Sequence, residues 1–176
     1  MNITCTGCGK EIETLPLKCA YSLNINNETN QMECYMENCG IISINEFLCE
    51  SCCINRSMIK LNRKIERLSL ENEEFREELT FFKKNLVQTK INNSDFSFWV
   101  EFGNGVYLYD KGVKENPSII ITSSQETMLQ IFKGSVEPFG AFLSGTLKIE
   151  GDLQYAVVFF DLMKLASEIS KETGGV

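Results

Sequence analysis

Histidine is absent from this 176-residue chain. Its absence removes the commonest general base and the imidazole ligands typical of catalytic zinc, so any metal is expected to be held by thiolates. Clustered positive charge is also scarce. Lys and Arg number 17 against 24 Asp and Glu, for a net charge of −7. Residues 1–53 carry 2 basic and 7 acidic side chains, residues 54–90 carry 9 and 6, and residues 91–176 carry 6 and 11. A phosphate-binding surface needs concentrated Lys and Arg, so nucleic acid is excluded as an expected partner. No apolar run is long enough to span a bilayer, and the polar start from Met1 to Lys10 does not resemble a signal peptide. The chain is therefore expected to be soluble and cytoplasmic, where thiols stay reduced and paired cysteines suggest metal rather than disulfides. It has no Gly-rich phosphate loop and no nucleophile placed beside a base. Asp110, Asp152 and Asp161 read as turn or surface carboxylates, and no enzyme activity is expected.

Three blocks follow from composition: 1–54, 55–90 and 91–176. All eight cysteines fall within residues 5–53. Their pattern is Cys5-x2-Cys8, Cys19, Cys34-x4-Cys39 and Cys49-x2-Cys52, with Cys53 adjacent. A CxxC turn directs two sulfurs toward one point, and two such turns complete a tetrahedral thiolate site. Gly7 and Gly9 relax the backbone around the first turn. Cys49 and Cys52 precede a long helix, whose exposed N–H groups favour thiolates. The favoured ligand set is Cys5, Cys8, Cys49 and Cys52. Cys34 and Cys39 could replace one pair, or join Cys19 and Cys53 in a second site. Alternatively, Cys19 and Cys53 are buried small apolar residues. An early knuckle and a later CxxC at a helix start resemble a treble-clef or zinc-ribbon finger. The expected cofactor is Zn2+, one structural ion with a second allowed, because some 50 residues with few large apolar groups cannot sustain a core alone. An acidic module of this kind suits protein contact better than DNA.

From about Asn55 to Gln88 there is neither proline nor glycine. Counting from Met58 gives heptad a positions at Met58, Ile65, Asn72, Leu79 and Leu86, and d positions at Leu61, Leu68, Phe75 and Phe82. This predicts a long coiled-coil helix over residues 55–90. A central Asn at position a favours a parallel homodimer. Glu71 opposite Arg76 and Glu78 opposite Lys83 agree with that pairing, each worth only tenths of a kcal/mol. Dimer contacts are thus assigned to Leu61, Ile65, Leu68, Asn72, Phe75, Leu79 and Phe82. The alternative is that the stripe packs on the chain's own third block.

The third block reads as β-β-β-α-α-β-α. Phe96–Phe102 and Val106–Tyr109 form a hairpin around Gly103-Asn104-Gly105, and Ser118–Thr122 is a β-branched strand. Helices follow at Gln125–Phe132 and from Pro138 to Leu143. A strand at Thr146–Glu150 and a last helix from Leu153 to about Glu168 complete the block. Ile119-Ile120-Ile121-Thr122, Gln125–Leu129, Phe132–Pro138 and Ala141–Asp152, with its Leu-Ser-Gly-Thr-Leu-Lys-Ile-Glu-Gly-Asp run, resemble the sterol carrier protein 2 family. The resemblance implies an α+β fold with a twisted, antiparallel-type sheet covered by helices, and an apolar tunnel for a sterol or fatty acyl group. The front departs from the family pattern, which usually begins with a helix and a fuller first strand region. Either Phe75–Leu86 takes that helix's place or the tunnel is cut short. The last helix is apolar on nearly every side until Asp161, so it must face something apolar besides its sheet. Residues expected to line a ligand cavity are Phe98, Val100, Phe132, Phe139, Phe142, Leu143, Val157, Phe160 and Met163. The expected function is non-catalytic lipid binding or transfer by a homodimer whose zinc module contacts a protein partner. The alternative is an interaction adaptor whose carboxyl-terminal domain binds no lipid.

Overall fold

The computed structural model describes residues 3–12, 23–26, 31–34, 41–43 and 46–172. The chain divides into two units, Met1–Ile59 and Lys60–Val176. The first contains three short antiparallel pairs: β1 (Ile3–Thr4) with β2 (Glu11–Ile12), β3 (Leu23–Asn26) with β4 (Gln31–Cys34), and β5 (Ile41–Ser43) with β6 (Glu46–Phe47). Helix α1 (Glu50–Glu71) follows, and the division between the units falls within it.

The second unit contains the later part of α1, then α2 (Glu73–Thr80), β7 (Asn85–Ile91), β8 (Ser97–Gly103), β9 (Val106–Lys111), β10 (Ile119–Ser123), α3 (Gln125–Phe132), α4 (Pro138–Leu143), β11 (Leu147–Gly151) and α5 (Leu153–Glu172). Its five strands form one sheet in the order β11-β10-β7-β8-β9. β7, β8 and β9 form an antiparallel meander. β10 then returns parallel to β7, in register from Ile119 opposite Val87 to Ser123 opposite Ile91. β11 closes the far edge antiparallel to β10. The sheet is thus mixed, which corrects the antiparallel-type expectation at one pairing.

That difference traces to β7, read from the sequence as the end of a long helix. Val87, Thr89 and Ile91 alternate along it and are buried, as β-branched residues are on the inner face of a sheet. The continuous coil over 55–90 does not form. Asn72 is extended, and its side-chain oxygen accepts the Phe75 N–H at 2.8 Å, so it caps α2 instead of continuing α1. The end of α2 is fixed by the β8–β9 turn, where the Asn104 and Gly105 amides donate to Phe82 O and Leu79 O at 2.8 and 3.2 Å. Gly103 lies here with φ +114°, and a Cβ on it would sit 2.3 Å from Lys83 O. Phe82 therefore lies beyond the helix and Leu86 in a strand. Phe75 and Leu79 are wholly buried within a single chain and Ile65 nearly so, leaving them no surface for a partner coil. The heptad stripe is the second unit's own inward face, with only Leu61 and Leu68 half-buried.

The core lies between one sheet face and the helices. Phe98 meets Phe132 of α3 and Phe102 meets Phe159 of α5, with ring centroids 5.9 and 6.0 Å apart. Phe75 of α2 approaches Tyr107 of β9 at 6.5 Å. The buried Tyr107 hydroxyl and Asn62 side chain satisfy one another at 3.1 Å, tying α1 to β9. On the opposite sheet face, the buried Gln88 amide donates to Phe98 O and Gly112 O and accepts from the Lys114 N–H, fixing the connection into β10.

Candidate functional site

Two clusters of side chains could bind something. The first is built by the two CxxC turns. Cys5 is pinned by its backbone: its N–H donates to Lys10 O at 2.8 Å, and its carbonyl accepts from Gly9 N at 2.8 Å. Thr6 anchors the turn to the stretch before α1, donating to Phe47 O from its amide at 2.9 Å and from its hydroxyl at 2.7 Å. Gly7 is required for close approach, since a Cβ there would lie 3.0 Å from Cys52 Sγ and 3.1 Å from Leu48. Cys49 immediately precedes α1 and Cys52 sits in its first turn.

The sulfurs of Cys5, Cys8, Cys49 and Cys52 all lie within 4.8 Å of one another. A tetrahedron with zinc–sulfur bonds of about 2.3 Å has sulfur–sulfur edges of about 3.8 Å. The Cys8–Cys49 separation is 3.8 Å, so the donor set fits a divalent ion of zinc's size. Crowding governs the protons. Burial opposes ionisation of Cys5, but the Cys49, Cys8 and Gly7 amides bring its thiol down to about 6. Burial pushes the Cys49 and Cys52 thiols up, and neighbouring sulfurs push the same way. Thiolates held this close need a cation between them.

Cys53 stands outside the tetrad. It is buried with Cys5 and Leu48 in a small apolar cluster, which corrects its assignment as a candidate ligand. Cys19 and Cys39 lie outside the described residues. Cys34 ends β4, and its side chain is likewise outside them.

The second cluster is a cavity of about 730 Å³ in the carboxyl-terminal unit. The end of α3, the turn into α4, α4 itself, Ile149 of β11 and one side of α5 enclose it. Local sequence shapes each wall. Ser124 caps α3 by accepting the Thr127 N–H at 3.1 Å. Glu137 caps α4 by accepting from Phe139 N and Gly140 N, with Pro138 following in the first turn. On α5, Leu153, Val157, Phe160, Lys164, Ser167 and Lys171 recur every three or four residues and form one stripe toward the cavity. The stripe is apolar at its start and polar from Asp161 onward.

Of the expected lining residues, Phe132, Phe139, Phe142, Val157, Phe160 and Met163 come together here. Phe98 and Val100 do not. They are 0% and 1% exposed on the inner sheet face, filled over by side chains such as Phe132. Leu143 also departs from expectation, being 72% exposed and outside the lining. Sequence reasoning missed Ile131, Val136, Ile149 and Leu153, and all of the polar lining. The three-to-four spacing along α5 was the signal for its share.

The model of the SCP-2 sterol transfer family matches residues 62–164, more than half of the chain. The chain belongs to this family. Membership points to lipid binding or transfer as the family's kind of work. Among solved structures, the chain is similar to sterol carrier protein 2 from Yarrowia lipolytica in its apo form, at 17% identity over 62% of this chain and 89% of that one, with a TM-score of 0.52. That likeness shows the sterol carrier fold. The palmitated SCP2L2 of Aedes aegypti matches at 17% identity over 58% of this chain and 90% of that one, with a TM-score of 0.47. The stereoselective inverting sec-alkylsulfatase Pisa1 from Pseudomonas sp. matches at 18% identity and a TM-score of 0.45, over 49% of this chain. This chain spans only 14% of that enzyme's length. No curated protein matches the chain. In sterol carrier terms, the family match begins at Asn62, within α1, so it takes in the end of α1 and α2 as well as the sheet. The front of the domain is helical, as the family pattern requires.

Proposed function

We propose that this protein is a non-catalytic lipid carrier whose amino-terminal module is held together by one structural zinc ion on Cys5, Cys8, Cys49 and Cys52. The cavity carries the reading. Its volume of about 730 Å³ lies within the ~300–1,000 Å³ typical of sites that enclose a small ligand. Its walls combine Phe139, Phe142, Phe160 and Leu153 at one end with serine and lysine at the other, which suits an amphiphile with a hydrocarbon tail. The zinc ion would organise a module with little core of its own, as metal does in small domains where binding and folding are one event. The acidic face of that module suits contact with a protein.

Extraction of detergent-free protein with organic solvent, followed by mass spectrometry, tests the carrier reading. A lipid at near one per chain is expected, lost in Val157→Trp, which would fill the cavity from a half-exposed wall position. If native protein carries no lipid and takes none up from mixed vesicles, the domain is an interaction adaptor instead.

A further inference from the structure

A second cavity, of about 420 Å³, lies beside the first. Leu61, Lys64 and Ile65 of α1 form one wall, and α5 forms the opposite one. Phe132, Met163, Ser167 and Lys171 line both chambers. On α5 the smaller chamber adds Ala166 and Ser170, positions on the adjoining side of the helix from the stripe that faces the larger one. The two chambers therefore flank one strip of α5 and diverge from it. The strip is apolar where Phe132 and Met163 are buried, 9% and 8% exposed, and polar at Ser167 and Lys171.

Charge is not evenly spread along this strip. The two linings together carry Lys64, Lys133, Lys164 and Lys171 against Glu137, Asp161 and Glu168. Glu137 already accepts the amides that start α4. Among the described residues, Lys64, Lys164 and Lys171 form no ion pair. A locally positive lining is notable in a chain of net charge −7. Amines beside a hydroxyl at the junction of two apolar chambers would favour an anion there, through charge-assisted hydrogen bonds. A single tail would leave one chamber's apolar surface without contacts, forfeiting its transfer energy.

We propose that the ligand is a lipid with an anionic head and two hydrocarbon branches, the head held by Lys64, Lys164 and Lys171 beside Ser167 and one branch in each chamber. This rests on the lipid-carrier reading. Met163, unbranched and flexible, forms the adjustable part of the wall between the branches.

The test uses delipidated full-length protein and native mass spectrometry with four probes: dioleoyl phosphatidate, its single-chain lyso form, oleate and neutral dioleoylglycerol. The two-chain phosphate is expected to bind one per chain, about tenfold tighter than any of the others. Lys164→Gln with Lys171→Gln should abolish its advantage over dioleoylglycerol while leaving dioleoylglycerol binding intact. Ser170→Trp, which fills only the smaller chamber, should reverse the preference toward the single-chain phosphate. Equal binding of one- and two-chain phosphates, or a phosphate preference unmoved by the lysine substitutions, would overturn the inference and leave the carrier reading standing. Failure of all four probes to bind would remove both.

Discussion

Asn72 separates two physical accounts of the same residues by the sign of one substitution. In a parallel coil, an Asn at a central a position costs stability, and Asn72→Ile should stabilise the protein and raise its tendency to associate. In the structure, Asn72 is an N-cap with φ −104° and ψ 119°, and its side-chain oxygen holds the Phe75 N–H at 2.8 Å. Isoleucine tolerates that extended backbone but offers no acceptor, so the loss is that of the cap alone. Such losses run from about 0.5 to 2 kcal/mol, centred near 1. With a urea slope of about 1–3 kcal/mol per molar, the unfolding midpoint should fall by roughly 0.3–1 M. Asn72→Ser keeps an acceptor of similar reach and should remain within a few tenths of a kcal/mol of the wild type. Unfolding is followed by circular dichroism at two protein concentrations a hundredfold apart, and the midpoints should coincide. A higher midpoint for Asn72→Ile, rising with protein concentration, would refute the capping account and restore the coil.

Three further expectations follow from single contacts. Cys8→Ser should lose one equivalent of bound zinc and unfold the amino-terminal module, whereas Cys53→Ser should keep that metal because Cys53 lies outside the tetrad; metal content by plasma mass spectrometry decides. Gly103→Ala should cost about 2–4 kcal/mol in urea unfolding, since it combines strain at φ +114° with a Cβ against Lys83 O. Gly112→Ala, also at positive φ but with nothing within 4 Å, should cost clearly less. Glu101 is partly desolvated, which alone would raise its carboxyl, but hydrogen bonds and charge from Lys84 and Lys114 hold it below the usual 4.5. A depressed folded value means stabilisation that is present above 4.5 and lost as the pH falls through the folded value. The stability gap between wild type and Glu101→Gln should therefore close on acidification, and a constant gap would show that the ion pairs contribute nothing.

Legibility in the sequence followed the range of the interactions involved. The tetrad was readable because its geometry is set locally: each CxxC turn places two sulfurs together, and only the meeting of the two turns needed the fold. From β8 onward, elements were readable because turns, caps and β-branched runs lie within a few residues of what they control. The stretch 72–91 was misread because a heptad and an alternating strand can share residues. Leu79, Phe82 and Leu86 satisfy a seven-residue repeat, while Val87, Thr89 and Ile91 satisfy a two-residue one. What ends the helix is Gly103, more than twenty residues away, whose turn receives the last carbonyls of α2. No local pattern announces that contact. The parallel β7–β10 pairing is equally non-local and went unread with it.

The composition of α5 shows why a cavity rather than a filled core is the economical account of this domain. Ala156, Phe159, Leu162, Ala166 and Ile169 are buried in the core of the unit, and Phe159 meets Phe102 of β8. That side alone would satisfy an amphipathic helix. Yet Leu153 and Val157, on the stripe facing the cavity, are 48% and 47% exposed, and Phe139 across from them is 54% exposed. A surface helix under no other demand would carry polar residues there. Leaving several large apolar groups half in water forgoes about 25 cal/mol for each Å² that could be covered. The polar residues expected on an outer face do arrive, at Lys164, Ser167 and Lys171, but only about 27 Å of helix separates Leu153 from Lys171. One continuous wall therefore passes from hydrocarbon-like to charged along its length, the order of groups in a lipid.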